Sequence, residues 1–225
     1  MANIKTISIT GFAADVDNIS VAQTTGGAAN LTITGDLATA GVATLVPPGQ
    51  VSFASTGNIA TVVFTITGTD RYDNAQTATV TGINNSTVAT TVDFKTVTQV
   101  ATSATVGTNV TVGTNAVAST PWYCGDYKHD SLVGIFVTLS AGASLTYTVE
   151  TTPTNLNDQA LLIGAQITQA QNAIIFPSSD ASVVAASTNQ ISNFISSPPG
   201  IRLTLNSWVS GTATLNIIIG NTHTT

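Results

Sequence analysis

Apolar residues and threonines alternate along most of this chain, and this period of two constrains its fold more than any other feature. Successive side chains of a β-strand point to opposite faces, so such alternation is typical of strands that bury one face. The clearest run begins at Thr61, where Val62, Phe64 and Ile66 point one way and threonines point the other. Threonine suits the outer face because it is β-branched and its hydroxyl can stay in contact with water.

A second alternating run follows the first after a short connection. Residues 68–74 are dense in turn formers, and Ala78 and Val80 then share the inner face of the next run. Two alternating runs joined by turn residues predict a β-hairpin.

The third run, residues 88–100, changes phase part-way. Val92 and Phe94 point inward, but Val97 follows Phe94 by an odd interval. One extra residue reverses the facing of everything after it. We therefore expect a β-bulge near Lys95.

Further alternating runs extend over the rest of the chain, so the predicted fold class is all-β. A segment rich in aromatic and charged residues follows residue 117 after a long aromatic-poor stretch, and we place a domain boundary there. The prediction is two tandem β-sandwich domains, Ig-like or jelly-roll-like, of short antiparallel strands, covering residues 1–117 and 118–225. Within residues 155–176 the sequence is equally compatible with a short helix and with strand.

Charge excludes several classes of partner. Only 7% of the 225 residues are charged and the net charge is −6, with five basic residues scattered along the chain. Binding to nucleic acid or to an anionic membrane surface needs clustered cations, so we expect neither partner. No apolar stretch reaches the ~18 residues of a membrane-spanning helix.

Cysteine usage and the N-terminal residues predict a compartment. Cys124 is the single cysteine, which forbids a disulfide within the chain. The segment Met1–Thr6 has no apolar core and no cleavage site, so we expect no secretory signal and synthesis in the cytosol.

Few residues are candidates for catalysis. Cys124, His129 and Asp130 form the one nucleophile-like group, and with Asp126 they lack the second ligand pair of a zinc site. Glu150 is the single glutamate, so the sequence offers no pair of glutamates for glycoside cleavage. A buried thiol beside aromatic residues is the favoured interpretation, and we expect a non-enzymatic protein without cofactor.

Two turns carry oxygen ligands of the kind that Ca²⁺ prefers, but neither has the full alternating pattern of a calcium loop. Asp and Asn are also favoured in turns because they hydrogen-bond to their own backbone, and we prefer that interpretation and expect no metal. The residues are Asp15, Asp17 and Asn18 in the first turn, and Asp70, Asp73 and Asn74 in the second.

Three aromatic residues gather at the predicted boundary: Trp122, Tyr123 and Tyr127. Such a cluster fills the seam between two domains or anchors an interface with a partner. We favour the seam, and these three residues are the predicted site.

Two stretches resemble a recurring pattern in virion structural proteins of tailed bacteriophages. The first runs from Ile66-Thr-Gly-Thr-Asp-Arg-Tyr-Asp-Asn74, through Val80-Thr-Gly82 and Ser86-Thr-Val88, to Asp93-Phe-Lys-Thr-Val-Thr98. The second is Pro199-Gly-Ile-Arg-Leu-Thr-Leu205 followed by Gly211-Thr-Ala-Thr-Leu-Asn-Ile217. Together they cover about half of the chain.

The resemblance implies a small all-β protein of the phage head or neck. The expected function is a capsid decoration (cement) protein or a head-attached appendage, docked as a dimer or trimer on the major capsid protein or another virion protein. The expected location is the capsid surface of the virion, after assembly in the host cytoplasm. The alternative is a host-recognition or carbohydrate-binding module of a neck or tail fibre, with Trp122 and Trp208 as aromatic platforms.

Overall fold

A computed structural model describes residues 3–124, 132–153, 176–194 and 199–220. These residues form antiparallel β-sheets with one 3-10 helix and no α-helix, which confirms the all-β class. The chain divides into two compact units, one of Phe12–Ala118 and one of Met1–Gly11 with Ser119–Thr225.

The strands of the first half are, in order, β1 (Asn3–Thr10), β2 (Asp15–Thr25), β3 (Ala29–Leu31), β4 (Ala38–Thr39), β5 (Val42–Asn58), β6 (Val63–Thr69), β7 (Ala75–Thr81), β8 (Asn84–Thr102) and β9 (Val106–Ser119). The elements of the second half are β10 (Tyr123–Cys124), β11 (Leu132–Leu139), β12 (Ser144–Thr152), β13 (Phe176–Pro177), the 3-10 helix (Ala181–Val183), β14 (Gln190–Phe194), β15 (Gly200–Ser210) and β16 (Thr212–Gly220).

The unit Phe12–Ala118 is built on a sheet of strand order β7-β6-β8-β5-β9-β2, with β3 paired to β8 and β4 to β5. Its core consists of the inward-facing apolar residues of these strands. The rings of Phe53 and Phe64 stack there with centroids 4.5 Å apart, and both side chains are fully buried.

The predicted hairpin is confirmed as β6 and β7, which pair in regular antiparallel register from Val63 opposite Thr81 to Thr69 opposite Ala75. Phe64 and Ile66 are fully buried, as the alternation predicts.

The predicted phase change in β8 is also present. Phe94, Val97 and Val100 are all fully buried, although their spacing is three. The pairing with β6 skips Thr98, so the extra residue lies there, slightly beyond the predicted position.

Some strands are longer than the sequence suggests. Strand β5 runs for 17 residues and continues through Pro47, Pro48 and Gly49, residue types that usually interrupt a strand. Its pairing with β8 is interrupted between Thr44 and Gly49, and prolines are tolerated in a strand at such irregularities.

The second unit contains two sheets, of order β1-β16-β11-β14 and β13-β12-β15, with β10 paired to β15. Each buries one face of alternating apolar residues, as a sandwich requires. Tyr147 is fully buried among them, and its hydroxyl donates to the Thr188 carbonyl oxygen at 2.8 Å. Burial raises the pKa of Tyr147 to about 12, so the phenol is neutral at physiological pH.

The two compact units differ from the predicted domains at the N-terminus. We expected residues 1–117 to form the first domain, but β1 pairs with β16 over its whole length, from Asn3 opposite Ile219 to Thr10 opposite Thr212. Alternation identifies a strand without identifying its partner, which is why this pairing was not foreseen. The helix considered for residues 155–176 lies outside the described residues, except for Phe176 in β13.

Candidate functional sites

Trp122 lies just before β10 and contacts an ion pair on the neighbouring strands. The guanidinium carbon of Arg202 is 4.5 Å from the centroid of the Trp122 ring, which is cation–π distance. Arg202 and Glu150 are opposite each other on β15 and β12, and Arg202 Nε donates to Glu150 Oε2 at 2.6 Å. Thr204 Oγ1 donates to the same oxygen at 2.8 Å. We call these four residues the Trp122 cluster.

The Trp122 cluster is arranged as a structural unit. Glu150 Oε2 accepts from both a guanidinium and a hydroxyl of β15, so this carboxylate is engaged in holding β12 and β15 together. Among the described residues, the buried indole N–H of Trp122 has no hydrogen-bond partner. The cluster can hold β10 against the sheet through charge and ring contacts.

The remaining residues of the predicted aromatic site are only partly described. Tyr123 belongs to β10 and pairs with Ile201 of β15. Tyr127 lies outside the described residues, as do Asp126, His129 and Asp130, so the structure does not test the thiol–imidazole pair. Cys124 pairs with Gly200 through the backbone.

The first acidic group was predicted to form a turn, but that prediction is wrong, because Asp15, Asp17 and Asn18 lie at the start of strand β2. Carboxylates from two segments come together there. The pKa of Asp17 is raised, first by a hydrogen bond with the Asp15 carboxyl and also by the negative charges of Asp15 and Asp36. Asp36 is remote in sequence and was missed, because only the fold brings it close. Asn18 Nδ2 donates to Thr114 Oγ1 at 2.8 Å, while its buried Oδ1 has no hydrogen-bond partner in the part of the chain that the structure describes.

The second acidic turn uses its polar groups to close the β6–β7 hairpin. Asp70 is buried, and its Oδ1 accepts from the backbone N–H groups of Tyr72 at 2.8 Å and Asn74 at 3.1 Å. Asp73 forms an ion pair with Lys95 Nζ at 2.6 Å. This is the backbone-bonded turn that the composition favours over a calcium loop. Within the described ranges, no group of three or more His, Cys, Asp or Glu side chains is placed to hold a metal ion.

Trp208 has a packing role. Its ring lies directly against Gly11, where any Cβ atom would collide with it, and its Nε1 donates to the Gly211 carbonyl oxygen at 2.8 Å. The indole ring therefore packs against the backbone that follows β1, and its N–H is hydrogen-bonded to the turn before β16.

An open depression lined mainly by residues of β12 and β15 offers neutral hydroxyl groups. Its volume is about 310 Å³. The lining residues are Ala143, Ser144, Leu145, Thr146, Ser187, Ser207 and Val209. Such a lining can hydrogen-bond to an uncharged polar ligand, but Thr146 and Ser207 already bond to each other at 2.7 Å.

Comparison with known proteins adds no assignment. No family model, curated protein or solved structure matches the chain. In the described part of the chain, no helix is long and apolar enough to cross a membrane.

Proposed function

We propose that this chain is a non-enzymatic structural protein of a tailed-bacteriophage virion. It acts as a capsid decoration or cement protein, or as a head-attached appendage, and stabilises the shell on which it docks. Its partner is the major capsid protein or another virion protein, and it docks in two or three copies.

The observation that carries the proposal is the use of the polar residues in the resembling stretches. Asp70 binds two backbone N–H groups of its turn, and Arg71 NH2 pairs with Asp93 at 3.0 Å across to β8. In the second stretch, Arg202 pairs with Glu150. The polar groups of both stretches therefore hold strands together. This supports the interpretation that the stretches resemble the structural framework of virion proteins.

The surfaces support the same proposal. The strands present threonine and serine hydroxyls that bond across to their neighbours, as between Thr69 and Thr96 at 2.7 Å. Desolvating a hydroxyl surface with few charges against a neighbouring protein of the shell costs little free energy, because no ion loses its hydration. Display in many copies makes modest contacts effectively tight.

The test is whether the chain is part of the particle. Intact particles from a culture that produces the chain are separated from free protein on a density gradient, and the protein content is quantified by mass spectrometry. We expect the chain in fixed ratio to the major capsid protein, with its density on the head in images of the particle. Purified chain mixed with unrelated particles controls for adventitious adsorption.

Two results would contradict the proposal. Chain found only in the soluble fraction would reject a virion role altogether. Chain found on a tail or neck fibre would reject the decoration role and favour the host-recognition alternative.

A further inference from the structure

The outer face of the sheet β1-β16-β11-β14 combines an apolar stripe with a hydroxyl ladder. Side chains on this face are those that alternate with the buried core residues of the same four strands. We call it the β1–β14 face, and its residues are Ile4, Thr6, Ser8, Thr10, Gly134, Phe136, Thr138, Ile191, Asn193, Thr212, Thr214, Asn216 and Ile218.

The apolar stripe runs diagonally across all four strands. Ile4 on β1 lies opposite Ile218 on β16, and Phe136 on β11 lies opposite Ile191 on β14. Phe136 and Ile218 are diagonal neighbours across β11 and β16, a distance that large side chains span. Ile4 is 60% exposed and Ile191 is 82% exposed, and Phe136 and Ile218 between them are half-buried. Apolar surface that continues across neighbouring strands in this way often marks a site of interaction with another molecule.

Much of the polar half of the face hydrogen-bonds within the face itself, between β1 and β16. Thr6 Oγ1 donates to Asn216 Oδ1 at 2.9 Å, and the hydroxyl pair of Ser8 and Thr214 lies at 2.9 Å. Because these groups bond to each other, covering them leaves few orphaned donors and acceptors. The hydroxyl ladder therefore adds area to a contact at little desolvation cost.

The lack of charge on the β1–β14 face indicates which kind of partner can bind there. None of the residues assigned to the β1–β14 face is charged, whereas the chain as a whole carries a net charge of −6. Two copies of an acidic protein repel each other unless they meet through surface free of like charges. We propose that the β1–β14 face binds the same face of a second copy, in a two-fold, face-to-face sheet contact.

The size of the face sets the strength of the contact. Three strands with eight paired residues and β14 with five, at about 4.8 Å spacing and about 3.3 Å per residue, give roughly 450 Å² per copy. Two copies bury about 900 Å² in total, just below the ~1,000 Å² expected of a stable specific interface. The pair is therefore a weak, reversible dimer, with each apolar stripe crossing that of its partner.

This inference goes beyond the proposed function and can fail independently of it, because it concerns the purified chain without any virion. The full chain is studied by sedimentation velocity from micromolar to millimolar concentration. We expect a monomer–dimer equilibrium, and Ile191→Lys should weaken association at least tenfold by placing a cation in the stripe. Ser8→Glu, on the hydroxyl ladder, should weaken it as well.

The matched controls are Val209→Lys and Val46→Lys, since these valines are 72% and 81% exposed and lie on other strands. They should leave association unchanged, and circular dichroism should show that every variant keeps the wild-type fold. A wild-type chain that stays monomeric throughout would overturn the proposal and leave the face to a different partner. A dimer that both face variants leave intact would overturn it too.

Discussion

Single residues in this protein are constrained by how closely the strands approach, and two glycines make the point. Gly107 and Gly113 occupy the same position in the tandem Val-Gly-Thr-Asn on β9. A Cβ atom at Gly107 would meet nothing within contact distance, whereas one at Gly113 would collide with the backbone of Asp15 and Val16 on β2. Identical local sequence therefore carries different tertiary constraints.

Substituting the two glycines separates these constraints. Gly113→Ala should lower the free energy of unfolding by about 1–3 kcal/mol, because β2 must move to admit the methyl group. Gly107→Ala, in the same tetrapeptide, should change it by less than ~0.5 kcal/mol. Urea denaturation of both variants measures the difference, and equal effects would show that β2 does not approach β9 so closely.

At the scale of elements, the β6–β7 hairpin shows why the turn residues are polar. The buried Asp70 carboxylate satisfies two backbone N–H groups, whereas the ion pair of Asp73 and Lys95 is largely exposed. Sequence alone predicted the hairpin and the turn, since both follow from local periodicity and turn propensity. It did not predict the pairing of Asp73 with Lys95, because β8 supplies that partner from 22 residues away.

The contacts of Asp70 and Lys95 in the β6–β7 hairpin predict two losses of stability of different size. Asp70→Ala should destabilise the protein by roughly 1–3 kcal/mol, because it leaves two amide donors without their acceptor. Lys95→Met should cost less than ~1 kcal/mol, since exposed ion pairs contribute little. Thermal unfolding at pH 7 compares them, and Asp70→Asn is the conservative control that keeps an acceptor oxygen. A Lys95→Met effect as large as that of Asp70→Ala would reject this account.

At the scale of the whole molecule, the first strand belongs to the unit formed by the last residues. β1 contributes Ile9, which is buried, to the unit that also contains β16. A division of the chain at residue 117 alone therefore removes one strand from the unit that needs it. Fragments defined by the compact units should behave differently from fragments defined by sequence order.

We expect the fragment Phe12–Ala118 to fold alone and to unfold cooperatively in urea, because its described core lies within those residues. The fragment Ser119–Thr225 should be less stable, because the edge of β16 is left unpaired. A synthetic peptide of residues 1–11 should bind that fragment and raise its unfolding midpoint. The same peptide with Ile9→Asp should not, and equal stabilisation by both peptides would contradict the assignment of β1.

The sequence by itself predicted the all-β class, the β6–β7 hairpin and a phase change in β8, because side-chain alternation and turn chemistry are local properties of the chain. Tertiary structure alone decided the pairing of β1 with β16, the approach of Asp36 to Asp17, and the contact of Trp122 with Arg202. It also placed Ile4, Phe136, Ile191 and Ile218 on one uncharged face. Each of these joins residues that are distant in the chain, and a period of two reveals which way a side chain points without revealing what lies opposite it.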